Sequence, residues 1–260
     1  TPTAPVLSSA ADTGTVGDQR TASVRPSLTG VVASPTTGLT VEIKDGTTQL
    51  GTAAVDPATG SWSFTPTTDL SVGTRSITVT VRDSVGNASS ASPALALVID
   101  NAAPAALTAP TLSAASESGL NLTDGTIKSV LPTIEGKGAP AGAIVELLHG
   151  ETVLKKVVAD GSGNWSVSLA TELPDGIYAF AARVVSATGV VGALSTPLNV
   201  TVDKTPPAAA VLSTSTSTAI NGADGLNGTT EPLAEVTLTI TPSSGNAQTV
   251  TTRADAAGLW

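Results

Sequence analysis

The sequence predicts an all-β chain built from tandem sandwiches, and three observations carry that prediction. A tryptophan-marked repeat runs through all 260 residues: Gly60-Ser61-Trp62, Gly163-Asn164-Trp165 and Gly258-Leu259-Trp260 fall 103 and 95 residues apart. Within a repeat the apolar period is two, as a half-buried strand requires. No stretch carries the apolar stripe of a helix.

In chain order, strands are expected near residues 4–9, 21–31, 39–45, 48–55, 61–66, 75–82 and 93–99. Val41 and Ile43 alternate with Glu42 and Lys44 and then meet Asp45-Gly46, a hairpin dipeptide. Trp62 and Phe64 share a face, as do Trp165 and Val167. Ile77, Val79 and Val81 alternate with Thr78, Thr80 and Arg82. About seven antiparallel strands in roughly 100 residues is the pattern of an immunoglobulin-like sandwich, with the tryptophan as a core anchor.

Two further correspondences keep the interval of 103 residues, and a third marks the start of each repeat. Asp100 to Pro104 recurs as Asp203 to Pro207, and Leu70 to Gly73 as Leu173 to Gly176. Leu7-Ser8 answers Leu112-Ser113 and Leu212-Ser213. The expected domains are 1–102, 103–206 and, as the N-terminal part of a third, 207–260. Pro104 and Pro110 restrict the linker Asn101–Pro110, so the first two domains should join end to end through a semi-rigid connection. With no methionine and no signal-peptide pattern, the sequence reads as an excised segment of a longer chain, its third unit cut short or completed by another molecule.

Composition narrows the chemistry. Aromatics are 2%, and 21 Asp and Glu against 12 Lys and Arg leave a net charge of −9. That balance opposes nucleic-acid binding, which needs clustered cations, and no apolar run is long enough to insert in a bilayer. Without cysteine, and with His149 as the sole histidine, any metal should be a hard cation held by oxygen. Nothing sets a nucleophile beside a base, so no catalytic residue is expected.

The order of the motifs is informative. Asp12 to Gly14 with Asp18, Pro26 and Gly30, then Gly60-Ser61-Trp62, Val81 to Asn87 and the closing Val98-Ile99-Asp100 resemble the bacterial Ig-like repeats of giant surface adhesins exported by type I secretion. The resemblance spans essentially the whole chain. It implies a non-enzymatic extender at the bacterial cell surface, outside the cell, that supports adhesion or biofilm formation. Its partners would be neighbouring repeats and calcium, with any receptor or glycan unspecified. Two other readings stay open, a ligand-binding module for a glycan or protein and an accessory segment of a secreted enzyme or surface-layer protein.

The metal expectation also follows from topology. In such a sandwich the loop between the first two strands lies at the end where the last strand leaves. Asp12, Asp18 and Asp100 should gather there in repeat 1, and Glu117, Asp124 and Asp203 in repeat 2, as oxygen ligands for calcium. Repeat 3 has Ser217 near the first-loop position and should bind poorly. Asp83 to Asn87 and Asn221 to Gly225 read as turns, and His149 as a solvated turn residue.

Overall fold

The computed structural model describes residues 2–118, 124–213, 225–242 and 244–260. By density of contacts the chain separates into two compact units, Thr1–Asp203 and Lys204–Trp260.

The first unit holds two sandwiches of the same design. In repeat 1 the strands are β1 (Val6–Leu7), β2 (Arg20–Thr21), β3 (Leu28–Val31), β4 (Thr40–Asp45), β5 (Thr48–Ala54), β6 (Ser61–Phe64), β7 (Gly73–Arg82) and β8 (Leu95–Ile99). They form a three-stranded sheet in the order β1-β3-β6 and a five-stranded sheet in the order β2-β8-β7-β4-β5. Repeat 2 has β9 (Thr111–Leu112), β10 (Thr126–Ile127), β11 (Thr133–Gly136), β12 (Ile144–His149), β13 (Thr152–Val158), β14 (Trp165–Ser168), β15 (Gly176–Val185) and β16 (Leu198–Val202). Its sheets run β14-β11-β9 and β10-β16-β15-β12-β13, the same arrangement strand for strand. The second unit contains β17 (Val211–Leu212), β18 (Gly228–Thr229), β19 (Glu235–Ile240) and β20 (Gln248–Arg253), with β17 paired to β18 and β19 to β20.

One expected element differs. The strand anticipated over 21–31 is two strands on opposite sheets, and β2 runs parallel to β8 rather than antiparallel. In repeat 1 the Thr21 hydroxyl braces the break, donating to Ala11 O at 2.6 Å and accepting from Ser23 N at 3.0 Å. Pro26, which has no N–H for a ladder, then falls in the crossing before β3. Repeat 2 crosses in the same way, with β10 parallel to β16 and Pro132 before β11, although Ile127 stands where repeat 1 has Thr21.

Each sandwich closes over its own apolar core, in repeat 1 around Leu28, Ile43, Trp62, Ile77 and Leu97 and in repeat 2 around Ile134, Leu147, Trp165, Phe180 and Val200. Trp62 and Trp165 are core anchors, each 4% exposed. Two glycines explain the Gly-X-Trp triplet and its partner. Gly60, Gly163 and Gly258 hold φ of 75°, 79° and 79°, and a Cβ there would strike the carbonyl of Val32, Ala139 or Thr230. Across the ladder, Gly30 faces Trp62 and Gly136 faces Trp165, leaving the indole lying directly over a bare Cα.

A buried glutamate sits on the outer side of each large sheet. Glu42 meets Arg82 at 2.6 Å and Lys44 at 3.0 Å; Glu146 meets Arg183 at 2.7 Å and Lys156 at 2.8 Å. Hydrogen bonds from Lys44 and Arg82 hold the Glu42 carboxyl below its ordinary 4.5. For Glu146 burial pushes upward, but Lys156 and Arg183 outweigh it and the net direction is again down. Carboxylates with depressed folded-state values stabilise above the unfolded value and lose that contribution as pH falls through the folded one. Melting temperature should therefore hold from neutrality to about pH 4.5 and decline below it. In Glu146→Gln the decline assigned to repeat 2 should be shallower, as read by calorimetry between pH 6 and pH 3. An unchanged slope would mean the ion triad contributes nothing to acid sensitivity.

Candidate cation site at the repeat junction

The first loop of repeat 1 is drawn beside the exit of its last strand by backbone bonds. Gln19 O accepts from Val98 N at 3.0 Å, and Thr21 O accepts from Asp100 N at 2.9 Å. Thr21, through Ala11 O, ties the stretch carrying Asp12 to the same place. The end of the sandwich expected to gather the carboxylates is thus assembled at the backbone level.

The side chains are arranged differently. Asp12 points inward and is 7% exposed; its Oδ2 accepts from Gly17 N at 2.6 Å, while Oδ1 is buried with no partner. Asp18 Oδ1 accepts from Arg20 N at 2.9 Å, and Asp100 Oδ1 accepts from Ala102 N at 3.1 Å. In repeat 2, Glu117 likewise has a buried, unpartnered Oε2, and Asp124 Oδ1 accepts from Thr126 N at 2.8 Å. Asp203 N donates to Ile127 O at 2.9 Å, holding the exit of β16 beside β10. Among the described residues no three acidic or histidine side chains converge closely enough to hold a metal. The carboxylates of Asp12, Asp18, Asp100 and Asp124 are each turned to a nearby backbone amide. Ser217 and most of Asn221 to Gly225 lie outside the described residues.

The donor chemistry still suits a hard cation. A carboxylate oxygen shut away from water and from every donor is destabilised, and an ion is the group that would relieve it. That orphaned oxygen occurs at Asp12 and at its repeat-2 counterpart Glu117. Asp18, exposed, and Asp100, half-buried, each hold one backbone amide through an oxygen that a side-chain rotation would free.

The remaining turns are self-contained. Asp83 Oδ1 accepts from Val85 N and Asn87 N, at 3.0 and 2.8 Å, and Oδ2 from Asn87 Nδ2 at 2.8 Å, which is the turn expected there. Sequence reasoning passed over an equivalent aspartate ahead of each tryptophan. Asp56 accepts from Ala58 N, Asp160 from Ser162 N and Asn164 N, and Asp255 from Ala257 N and Leu259 N, all within 2.8–2.9 Å. Their recurrence three or four residues before the Gly of each Gly-X-Trp was the available signal. Backbone amides, Ala58 N foremost for Asp56 and Asn164 N for Asp160, hold those two carboxyls below the usual range. His149, expected to be a solvated turn residue, is exposed but closes β12 and packs its ring 5.3 Å from Tyr178 and 5.9 Å from Phe180. Thr188 was also missed: its hydroxyl reaches out of repeat 2 to donate to Asp100 O at 2.7 Å.

None of the curated proteins matches the chain. Among solved structures, a Ca2+-stabilized adhesin that helps an Antarctic bacterium reach out and bind ice is 22% identical, covering 100% of this chain and 65% of its own, with a TM-score of 0.42. A tetra-tandem repeat from the extending region of a large adhesion protein is 21% identical over 99% of this chain and 64% of its own, with a TM-score of 0.30. A 1.5-MDa bacterial ice-binding adhesin is 20% identical over 99% and 84%, with a TM-score of 0.37. The chain spans just under two thirds of the length of the first two. The model of the bacterial Ig-like domain matches residues 1–101 and again 104–204. Two consecutive matches over the two sandwiches place most of the sequence in one family, and the chain belongs to the bacterial Ig-like domains.

Proposed function

We propose that this chain is a stretch of extender repeats in a bacterial cell-surface adhesin. It works outside the cell as a non-catalytic spacer, with calcium taken up where one repeat meets the next. Domain boundaries at 1–102 and 103–206, with 207–260 opening a third repeat, are part of this reading. Tandem family matches and the motif order that resembles adhesin repeats support the spacer role. The observation that carries the calcium site is the buried, unpartnered Oδ1 of Asp12 at the junction end, echoed by Glu117 Oε2.

In this reading Asp12, Asp18 and Asp100 hold one ion, and Glu117, Asp124 and Asp203 hold another. The ion supplies charge neutralisation where like charges otherwise repel. Each set joins a domain's first loop to the linker leaving it, so filling it opposes bending at the junction. The burial of both tryptophans over glycine weighs against their use as sugar-stacking platforms.

Extracellular modules bind calcium at about 10⁻⁴–10⁻³ M, and at ten times the dissociation constant a site stabilises its fold by about 1.4 kcal/mol. Calorimetric titration should show binding heat at millimolar calcium, with a melting temperature above that in chelator. Asp12→Asn should abolish the heat assigned to repeat 1 and leave that of repeat 2. No heat and no melting shift would leave a cation-independent spacer.

A further inference from the structure

We propose that the first loop of repeat 1 and the turn between β15 and β16 of repeat 2 form a clasp that fixes their junction without any cation, the first loop of repeat 1 being the docking surface for repeat 2. It does not rest on the calcium site proposed above.

Three hydrogen bonds cross the junction. Thr13 Oγ1 donates to Thr188 O at 2.7 Å, Thr15 N donates to Ala187 O at 3.1 Å, and Thr188 Oγ1 donates to Asp100 O at 2.7 Å. Thr188 is 1% exposed, so these bonds are shielded from competing water. Two glycines permit the approach: Gly14 and Gly189 both hold φ of 81°, and a Cβ on Gly14 would run into Ala187 O and stand 2.6 Å from Gly189 N. The linker is held on the same face, since a Cβ on Gly192 would stand 2.8 Å from Pro104 O. Every group in the clasp is uncharged, so salt and chelator leave it intact.

The two halves of the clasp are distributed unequally. The donating hydroxyl is preorganised by a local bond, Thr13 Oγ1 accepting from Ala22 N at 2.8 Å. Repeat 2 carries the same piece, with Ser118 Oγ accepting from Lys128 N at 2.9 Å. The receiving turn is particular to repeat 2. In repeat 1 the position of Thr188 is held by Val85, which is 81% exposed and has no hydroxyl to give. The partner that fits the first loop of repeat 1 is therefore a following repeat whose penultimate turn reads Ser-X-Thr-Gly, as Ser186 to Gly189 does.

The test uses the 260-residue chain, which has no cysteine, with spin labels at Val72→Cys and Val158→Cys. Both positions are exposed, at 54% and 67%, one in each repeat. In chelator the parent should give one narrow interspin distance. T188V and, from the other side of the contact, G14A should broaden it roughly twofold, towards the mobility that is the default between domains. T188S, which keeps the hydroxyl, should stay narrow. A broad distribution for the parent in chelator that narrows with calcium would overturn the clasp while supporting the calcium reading. Narrow distributions in both T188V and G14A would also overturn it. A narrow parent unaffected by calcium, with no binding heat, would leave the clasp standing and the calcium reading refuted.

Discussion

Replacing Trp62 or Trp165 with alanine is expected to destabilise the repeat that carries it by about 3–5 kcal/mol, the range for deleting a large buried aromatic. Each indole is 4% exposed and lies between the two sheets, so its removal opens a cavity bounded by strands that cannot collapse without breaking ladder bonds. A domain of this size has only about 5–15 kcal/mol in total, so either variant should be near the edge of folding. Urea unfolding followed by far-ultraviolet circular dichroism should show an early transition for the altered repeat, while the tryptophan of the unaltered sandwich reports a later one. Full stability with lost affinity for a glycan or protein would instead make the tryptophan a recognition residue. The spacer reading would then give way to a binding module.

Much of the sandwich is written in alternation. The segments expected at 39–45, 48–55, 61–66, 75–82 and 93–99 correspond to β4 to β8, because each buries one face and period two is visible wherever that happens. The segment 21–31 has the same apolar character on either sheet, so alternation is silent about which one it joins. In both repeats a proline, Pro26 or Pro132, interrupts the ladder there, and in repeat 1 the Thr21 hydroxyl braces the crossing by reaching Ala11 O, a contact between residues that no periodicity links.

The candidate site divides along the same line. Bringing the first loop to the exit of the last strand is a consequence of strand order, and order is inferable from the repeat. Where Asp12 points depends on the tight turn that presents Gly17 N to its Oδ2, and composition says nothing of that. The contact between Thr13 and Thr188 joins residues 175 positions apart across two repeats. Within one repeat, Ser186 to Val190 reads only as a turn without the anchors of Asp83 and Asn87.

Gly136→Ala should destabilise repeat 2 by about 1–3 kcal/mol, the usual range for overfilling a packed site. Gly136 lies inside β11, where alanine ordinarily gains about 0.5–1 kcal/mol over glycine by restricting the unfolded chain. Here a Cβ would stand 2.6 Å from Trp165 Cε2 and 2.8 Å from its Nε1, distances that no side chain sustains without displacing the ring. The ring has little freedom to move, since Trp165 is hydrogen-bonded into β14 opposite Gly136 and its indole N–H is buried without a partner. Repeat 1 has the same geometry at Gly30, where the added carbon would be 2.6 Å from the Trp62 ring, and Gly228 lies under Trp260 in the second unit. Combining Gly136→Ala with Trp165→Leu should therefore cost less than the two changes summed, by about 1 kcal/mol, because the smaller side chain vacates the space the methyl needs. Strict additivity, or a stabilising Gly136→Ala, would mean that the indole is not seated on the glycine and that the anchor of the repeat lies elsewhere.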